Sequence, residues 1–421
     1  MGPALLKLIA HIKNLLKNQY KCFVSSLLVT LLVACGGSGG SGGPTDTANS
    51  VTIVGSTVAS GPNALDVNIE QFTGSSFNTF NIPFVTVKVC DSAKKCVDVP
   101  NVLVDTSSTG LRLLASALPG INLSPVTNGS YELAQCAYFA SGYLWGGLRF
   151  ATVELGQLVG TMAIPVQIIG DTNIPAVPGS SYCTLSTNDL STQLQANGIL
   201  GINNLVNDAD KGNFFNCTNS SCVQSPVVNS ASTAIGQTPL NPLVALPSPY
   251  DNGFVMTLPN IPITGAGSAR GSLLIGVNAS TNTQLSSAMQ VYALDANGNV
   301  AVTVNGRTGL GFIDSGSNAY FFSSIGINNC HVNSGFYCPS VSSNVELEIV
   351  SGGVSSGPMS VTVANADALF QSNNIALPGI AGITTGNTDL GLPFFFGKSI
   401  AFGLQGTTIN SNFYPHGFVS F

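Results

Sequence analysis

The run Val102-Leu103-Val104-Asp105-Thr106-Ser107-Ser108-Thr109-Gly110 carries an Asp out of an apolar segment and into a cluster of hydroxyls and Gly. Gly311-Phe312-Ile313-Asp314-Ser315-Gly316-Ser317 repeats the pattern in the other half of the chain. Singly, each is ordinary turn chemistry, because Asp, Ser and Gly favour Asx motifs and tight turns. Together they read as two halves of one constellation. Two carboxyls forced within hydrogen-bond reach do not both ionise: one keeps a proton and serves as acid, the other takes a proton from water.

Composition narrows the setting. A chain of 421 residues buries a large core, and only 8% of its residues are charged. Lys7, Lys13, Lys17 and Lys21 lie in the first 21 positions, and the remainder carries a net charge of about −10. That distribution excludes a nucleic-acid partner. A serine-hydrolase reading is also poor, since His331 and His416 are the histidines beyond the N-terminal segment and neither sits in a triad-like setting. The Gly-rich stretch after Cys35 has no strand before it and no helix after it, so it is not a phosphate or dinucleotide loop.

The four lysines precede an apolar run from Cys22 to Ala34, too short for an ordinary membrane span and suited to a secretory h-region. It ends in Leu32-Val33-Ala34-Cys35, which resembles a bacterial lipobox and implies cleavage after residue 34 and lipid attachment at Cys35. Residues 35–49 then form a Gly/Ser-rich tether. Gly36 rather than Asp after the lipidated Cys resembles the outer-membrane sorting pattern of Gram-negative lipoproteins, on the periplasmic or the surface side.

Eight further cysteines fit an oxidising compartment: Cys90, Cys96, Cys136, Cys183, Cys217, Cys222, Cys330 and Cys338. Short intervals suggest Cys90 with Cys96, Cys217 with Cys222 and Cys330 with Cys338, leaving Cys136 for Cys183. Zinc-type CxxC or His spacing is lacking, so no metal and no cofactor is expected.

From about Ser50 onward, short runs rich in Val, Ile, Leu, Thr and Phe alternate with Gly, Pro, Asn and Asp, which predicts an all-β chain. Thr86 to Cys90 and Cys96 to Val99 read as a hairpin feeding Asp105. Met289 to Leu294 and Val300 to Val304, joined at Asn297-Gly298, read as a second hairpin feeding Asp314. The two imply an internal duplication, with lobes at 50–225 and 226–421 and a boundary near Ser225 to Pro242. Asn188 to Ala196 is the best candidate for a short helix. Ser50 to Thr79 is read as an added strand or a latency segment.

Over roughly residues 80 to 405 these features resemble the pepsin-like aspartic peptidases, and they are similar also to bacterial exported lipoproteins of unassigned function that keep both Asp motifs. Gly198-Ile199-Leu200-Gly201-Ile202 resembles the element that crosses behind the first Asp loop, and Gly271 to Gly276 the strand opening the second lobe's sheet. Leu390-Gly391-Leu392-Pro393 stands where the second crossing element is expected, with Asp389 in place of an apolar residue. The segment Tyr138 to Gly147 resembles the Tyr-bearing flap, with Tyr138 as first candidate, Tyr143 as second, and Gly142 between them.

The resemblance implies a bilobal fold with a central cleft, Asp105 and Asp314 as the catalytic pair, Thr106 and Ser315 cross-linking their loops, and Ser108 and Ser317 bonding the outer carboxylate oxygens. It implies a monomeric endopeptidase that takes a peptide or protein substrate in extended conformation. Two departures bear on activity. Ser107 replaces the usual Gly and would be strained if its φ were positive. Arg112 replaces the usual aromatic and would either stack on Tyr138 or pair with Asp105. The competing readings are a non-catalytic binder of peptide or another ligand in the cleft, and a structural or adhesive surface lipoprotein.

Overall fold

The structure is a computed structural model and describes residues 53–55, 60–72, 79–179, 183, 188–208, 213–225, 236–324 and 326–421. The leader at 1–34, Cys35 and the tether at 35–49 lie outside the described residues. Within them regular structure is almost wholly β; the α-helix Ala366–Phe370 is joined only by short 3-10 turns such as Leu190–Thr192, which stands where a longer helix was expected.

Among the described residues the N-terminal lobe and a platform run together as one nineteen-stranded sheet, beside an eight-stranded C-terminal sheet and a two-stranded pair, Thr407–Ile409 with Asn412–Tyr414. In the N-terminal lobe, Pro83–Cys90 and Cys96–Asp105 make the expected antiparallel hairpin, closed by the Cys90–Cys96 disulfide. Six antiparallel strands form a platform joining the lobes, in the order Ala64–Ile69, Ser268–Ile275, Gly253–Thr257, Ser399–Gly403, Phe418–Ser420 and Val291–Ala293. Ser50 to Thr79 thus supplies a platform strand, and Ile53–Gly55 adds a parallel pairing to Ser268–Arg270. The C-terminal lobe is an eight-stranded sheet that includes Val300–Val304, Arg307–Ile313, Thr388–Leu390 and Tyr320–Phe322. Gly271 to Gly276 therefore lies in the shared platform rather than in the second lobe's own sheet.

Burial follows the residue pattern. Gly198–Ile202 is buried along its whole length, as a continuous apolar strand must be; so is Ile164–Ile169, whose one polar residue, Gln167, donates to the Gln135 and Leu144 carbonyls, whereas Ser343–Ser351 alternates between buried and exposed. One core runs through both lobes, from Val85 and Leu111 to Phe394 and Val419.

The second hairpin differs from the expectation. Val291–Ala293 leaves for the platform, and Val300–Val304 pairs instead with Arg307–Ile313, Val304 opposite Arg307. Asn305 and Gly306 both have positive φ (47° and 77°), which a two-residue hairpin turn of matching twist requires. Asn297-Gly298 is part of an Asp295 loop, whose carboxylate accepts from the Asn297 and Asn299 amides at 2.8 Å each. The cysteines pair as expected in all four disulfides.

Candidate active site

Asp105 is the last residue of the strand Cys96–Asp105, and Asp314 follows the strand Arg307–Ile313. Behind the first loop, Gly198–Ile202 inserts parallel to Cys96–Asp105 and antiparallel to Thr109–Leu114. Behind the second, Thr388–Leu390 inserts parallel to Arg307–Ile313 and antiparallel to Tyr320–Phe322. The two halves therefore share one local topology. The crossings leave no room for a side chain at their glycines: a Cβ on Gly201 would stand 2.8 Å from Ser108 Oγ, and one on Gly391 2.1 Å from the Ala319 carbonyl.

The loops meet across the lobe boundary. Thr106 Oγ1 donates to the Ile313 carbonyl (2.9 Å) and accepts from the Ser315 amide (2.9 Å), while Ser315 Oγ donates to the Val104 carbonyl (2.6 Å). All three bonds are buried, so neither loop moves without the other. Asn81 adds a second tie, donating to the Asn318 and Leu377 carbonyls at 2.8 Å.

Each carboxylate is held on both oxygens. Asp105 Oδ1 accepts from the amides of Ser107 (2.8 Å) and Ser108 (3.1 Å), and Oδ2 from Ser108 Oγ (2.6 Å). Asp314 Oδ1 accepts from the Gly316 amide (2.7 Å) and Oδ2 from Ser317 Oγ (2.8 Å). The two Oδ1 atoms border the same space, since a Cβ built on Gly316 would lie 3.0 Å from Asp105 Oδ1 and 3.1 Å from Asp314 Oδ1. Burial, and then the charges of Asp105 and Asp389, push Asp314 well above the usual carboxylate range. This pair can hold one proton between two carboxyls, which is what acid–base activation of water requires.

Both departures resolve differently from the sequence reading. Ser107 is exposed and is not among the residues with positive φ, so it carries no left-handed strain while its amide still reaches Asp105. Arg112 pairs with neither Asp105 nor Tyr138. It is 2% exposed, donates to the Thr109 carbonyl (2.8 Å), reaches Asp208 Oδ2 at 2.5 Å and lies 5.6 Å from the centre of the Phe139 ring. Gln135 also donates to Asp208 (2.6 Å), so an Arg112–Asp208–Gln135 cluster, with Asp208 partly exposed, braces the hairpin strand that carries Gln135. The sequence reading missed Asp208 and Gln135, because nothing local marks two residues that meet only through the fold.

That hairpin consists of Tyr131–Phe139 and Gly142–Leu155 around Ala140-Ser141, with Tyr138 opposite Tyr143 and Phe139 opposite Gly142. Tyr138 is 45% exposed, whereas Tyr143 is buried against Cys136, Cys183 and Phe215. Tyr143 thus packs the hairpin, and Tyr138 stands on its outer surface. Gly142 permits close contact with a neighbouring segment: the Asn188 carbonyl would be 2.3 Å from a Cβ there, and it accepts from the Tyr143 amide at 3.0 Å. Among the described residues, two clusters gather three metal-ligand types, Cys90/Cys96/Glu154 and Cys330/Cys338/Asp367. In each, both cysteines are disulfide-bonded, which leaves one carboxylate.

Two β-rich halves that each deliver an Asp over a crossing strand, joined by a shared sheet, define a bilobal fold of the pepsin-like type. Among solved structures, an aspartic proteinase from Irpex lacteus is similar to the chain, with a TM-score of 0.45 and 14% sequence identity over 85% of this chain and 96% of that one. The chain belongs to the family described as "Protein of unknown function (DUF3443)", whose profile matches residues 59–421. No curated protein matches it.

Proposed function

We propose that this protein is an aspartic endopeptidase, exported and tethered to the outer membrane through lipid on Cys35, which hydrolyses peptide bonds in extended segments laid between the lobes. The observation that carries the reading is the pair itself: two buried carboxyls cross-linked through Thr106 and Ser315, with inner oxygens that border one space beside Gly316. In the proposed reaction Asp314 holds the shared proton and gives it to the peptide carbonyl oxygen as water attacks. Asp105 takes the water's proton and passes it to the leaving amine. The tetrahedral diol then collapses and returns a proton to Asp314, with no covalent enzyme intermediate. The raised Asp314 carboxyl favours keeping that proton toward neutral pH, which an enzyme of the periplasm or cell surface needs.

The test is a mixed peptide library incubated with the chain from residue 36 onward, from acid to neutral pH, beside Asp105→Asn and Asp314→Ala. Cleavage by the parent and its loss in both variants supports the reading. Equal background in all three refutes it, and tight binding of a non-cleavable peptide isostere would then favour a cleft-binding protein. Anchoring is tested separately, by labelling cells with an alkyne fatty acid: the label should enter the parent protein and not Cys35→Ser.

A further inference from the structure

The mechanism leaves one ionisable side chain at the pair without a role. Asp389 sits on the second crossing strand, opposite Phe312 and Phe321, and is 8% exposed. Its Oδ1 is buried with no hydrogen-bond partner. The Ser317 hydroxyl is near enough to lower the Asp389 carboxyl, but it is committed to Asp314 Oδ2, to which it donates at 2.8 Å. A hydroxyl has a single proton and cannot donate to two carboxylates at once. An ionised Asp389 with one bare oxygen, next to Asp105 and Asp314, would be a buried charge with no counter-ion. Both problems disappear when Asp389 carries a proton and donates to Ser317 Oγ, while Ser317 donates to Asp314.

We infer that Asp389 is a third, proton-sharing carboxyl of the site, linked to Asp314 through Ser317, and that it sets the pH up to which the pair keeps its proton. The transfer is balanced: the Asp389 proton moves to Ser317 Oγ, the Ser317 proton moves to Asp314 Oδ2, and the chain of three groups gains and loses nothing. The titratable groups facing Asp389 are Asp105 and Asp314. Tyr320 on the adjoining strand is kept neutral by burial, and Arg307 lies at the exposed far end of Arg307–Ile313. Burial, with the charge of Asp105, pushes Asp389 up to about 7. As pH rises it therefore ionises within the neutral range, and its charge then holds the last proton on the Asp105–Asp314 pair. Asp389 is a positioning residue in this scheme and does not touch substrate.

The inference rests on the peptidase reading of the site, and two measurements separate their failures. In kcat/KM against pH, Asp389→Asn and Asp389→Leu should keep acid-side activity and move the alkaline limb down by about one pH unit, roughly a tenfold loss near neutrality. An unmoved limb overturns the inference and leaves the peptidase reading standing. Thermal melting needs no catalysis. In the parent, the folded state keeps a proton that the unfolded chain releases, so stability falls as pH rises from about 4 to about 7. The melting temperatures of both variants should therefore gain on the parent's across that interval. A pH-independent difference overturns the inference even if the parent cleaves nothing. Leu restores an apolar residue to the crossing strand and guards against Asn failing to fold.

Discussion

Thr106→Val keeps the shape of a buried side chain and deletes the one atom that ties the two Asp loops in both directions. Thr106 Oγ1 is a donor to Ile313 and an acceptor from Ser315, each at 2.9 Å, and the residue is 4% exposed. Loss of the donated bond costs about 1 kcal/mol, and the Ser315 amide left buried without an acceptor costs about 1–3 kcal/mol more. The expected destabilisation is thus about 2–4 kcal/mol. Ser315→Ala should cost less, about 1 kcal/mol, because it removes only the bond to the Val104 carbonyl and strands no amide. The double variant should fall short of the sum, since the two hydroxyls serve one network. Urea unfolding measures this through two probes. Far-UV circular dichroism follows both lobes, and fluorescence of the single Trp, Trp145, follows the N-terminal lobe, where its indole packs edge-on against Phe215. If Thr106→Val unfolds within about 0.5 kcal/mol of the parent, the claim that these bonds couple the lobes is wrong, whatever the protein does.

Arg112→Met should destabilise by about 2–3 kcal/mol in the same urea assay, below the usual cost of breaking a fully buried pair because Asp208 keeps 17% exposure and its Gln135 bond. A larger loss of activity than of stability would instead point to a direct role at the pair. Gly316→Ala puts a Cβ 2.9 Å from Asp105 Cγ, against a carboxylate already held by three hydrogen bonds, so folding should lose about 1–3 kcal/mol and peptide cleavage should fall to background. Full cleavage by Gly316→Ala would mean that the two carboxylates do not close in on the space beside Gly316. Lys398 stands 4.3 Å over the Phe394 ring and donates to the Phe394 carbonyl at 2.8 Å, and burial pushes its amine down to about 8. The unfolded chain therefore binds the proton that the folded chain releases, and melting temperature should rise relative to Lys398→Met between about pH 8 and pH 10. A parallel pair of melting curves would contradict that burial.

What can be read from the chain alone follows a physical division. Asp105 and Asp314 announce themselves because each is flanked by its own strand and its own hydroxyls, all within a few residues. The disulfides are readable for the same reason, three of the four closing intervals of five to eight residues. The second hairpin falls elsewhere than expected because the chain holds two Asn-Gly turns close together, and the choice between them depends on which strand the platform captures. Ser107 looks strained in the sequence because the motif suggests a left-handed residue there, whereas the amide reaches Asp105 without one. Arg112 finds a partner the sequence does not suggest, because Asp208 lies far along the chain in a segment with no pattern of its own. Asp389 is the instructive case. In the sequence it counts only as a defect in the second crossing element, since an apolar residue is expected. The fold places that position against Ser317, one hydroxyl away from Asp314, where a carboxyl is costly to bury and useful only if it keeps a proton. A polar residue at an expected core position argues against a fold when nothing receives it. Here the neighbour that faces it is the hydroxyl already bonded to Asp314, so the mismatch that weakens the sequence match is the feature by which this site's chemistry would differ from a plain two-carboxyl centre.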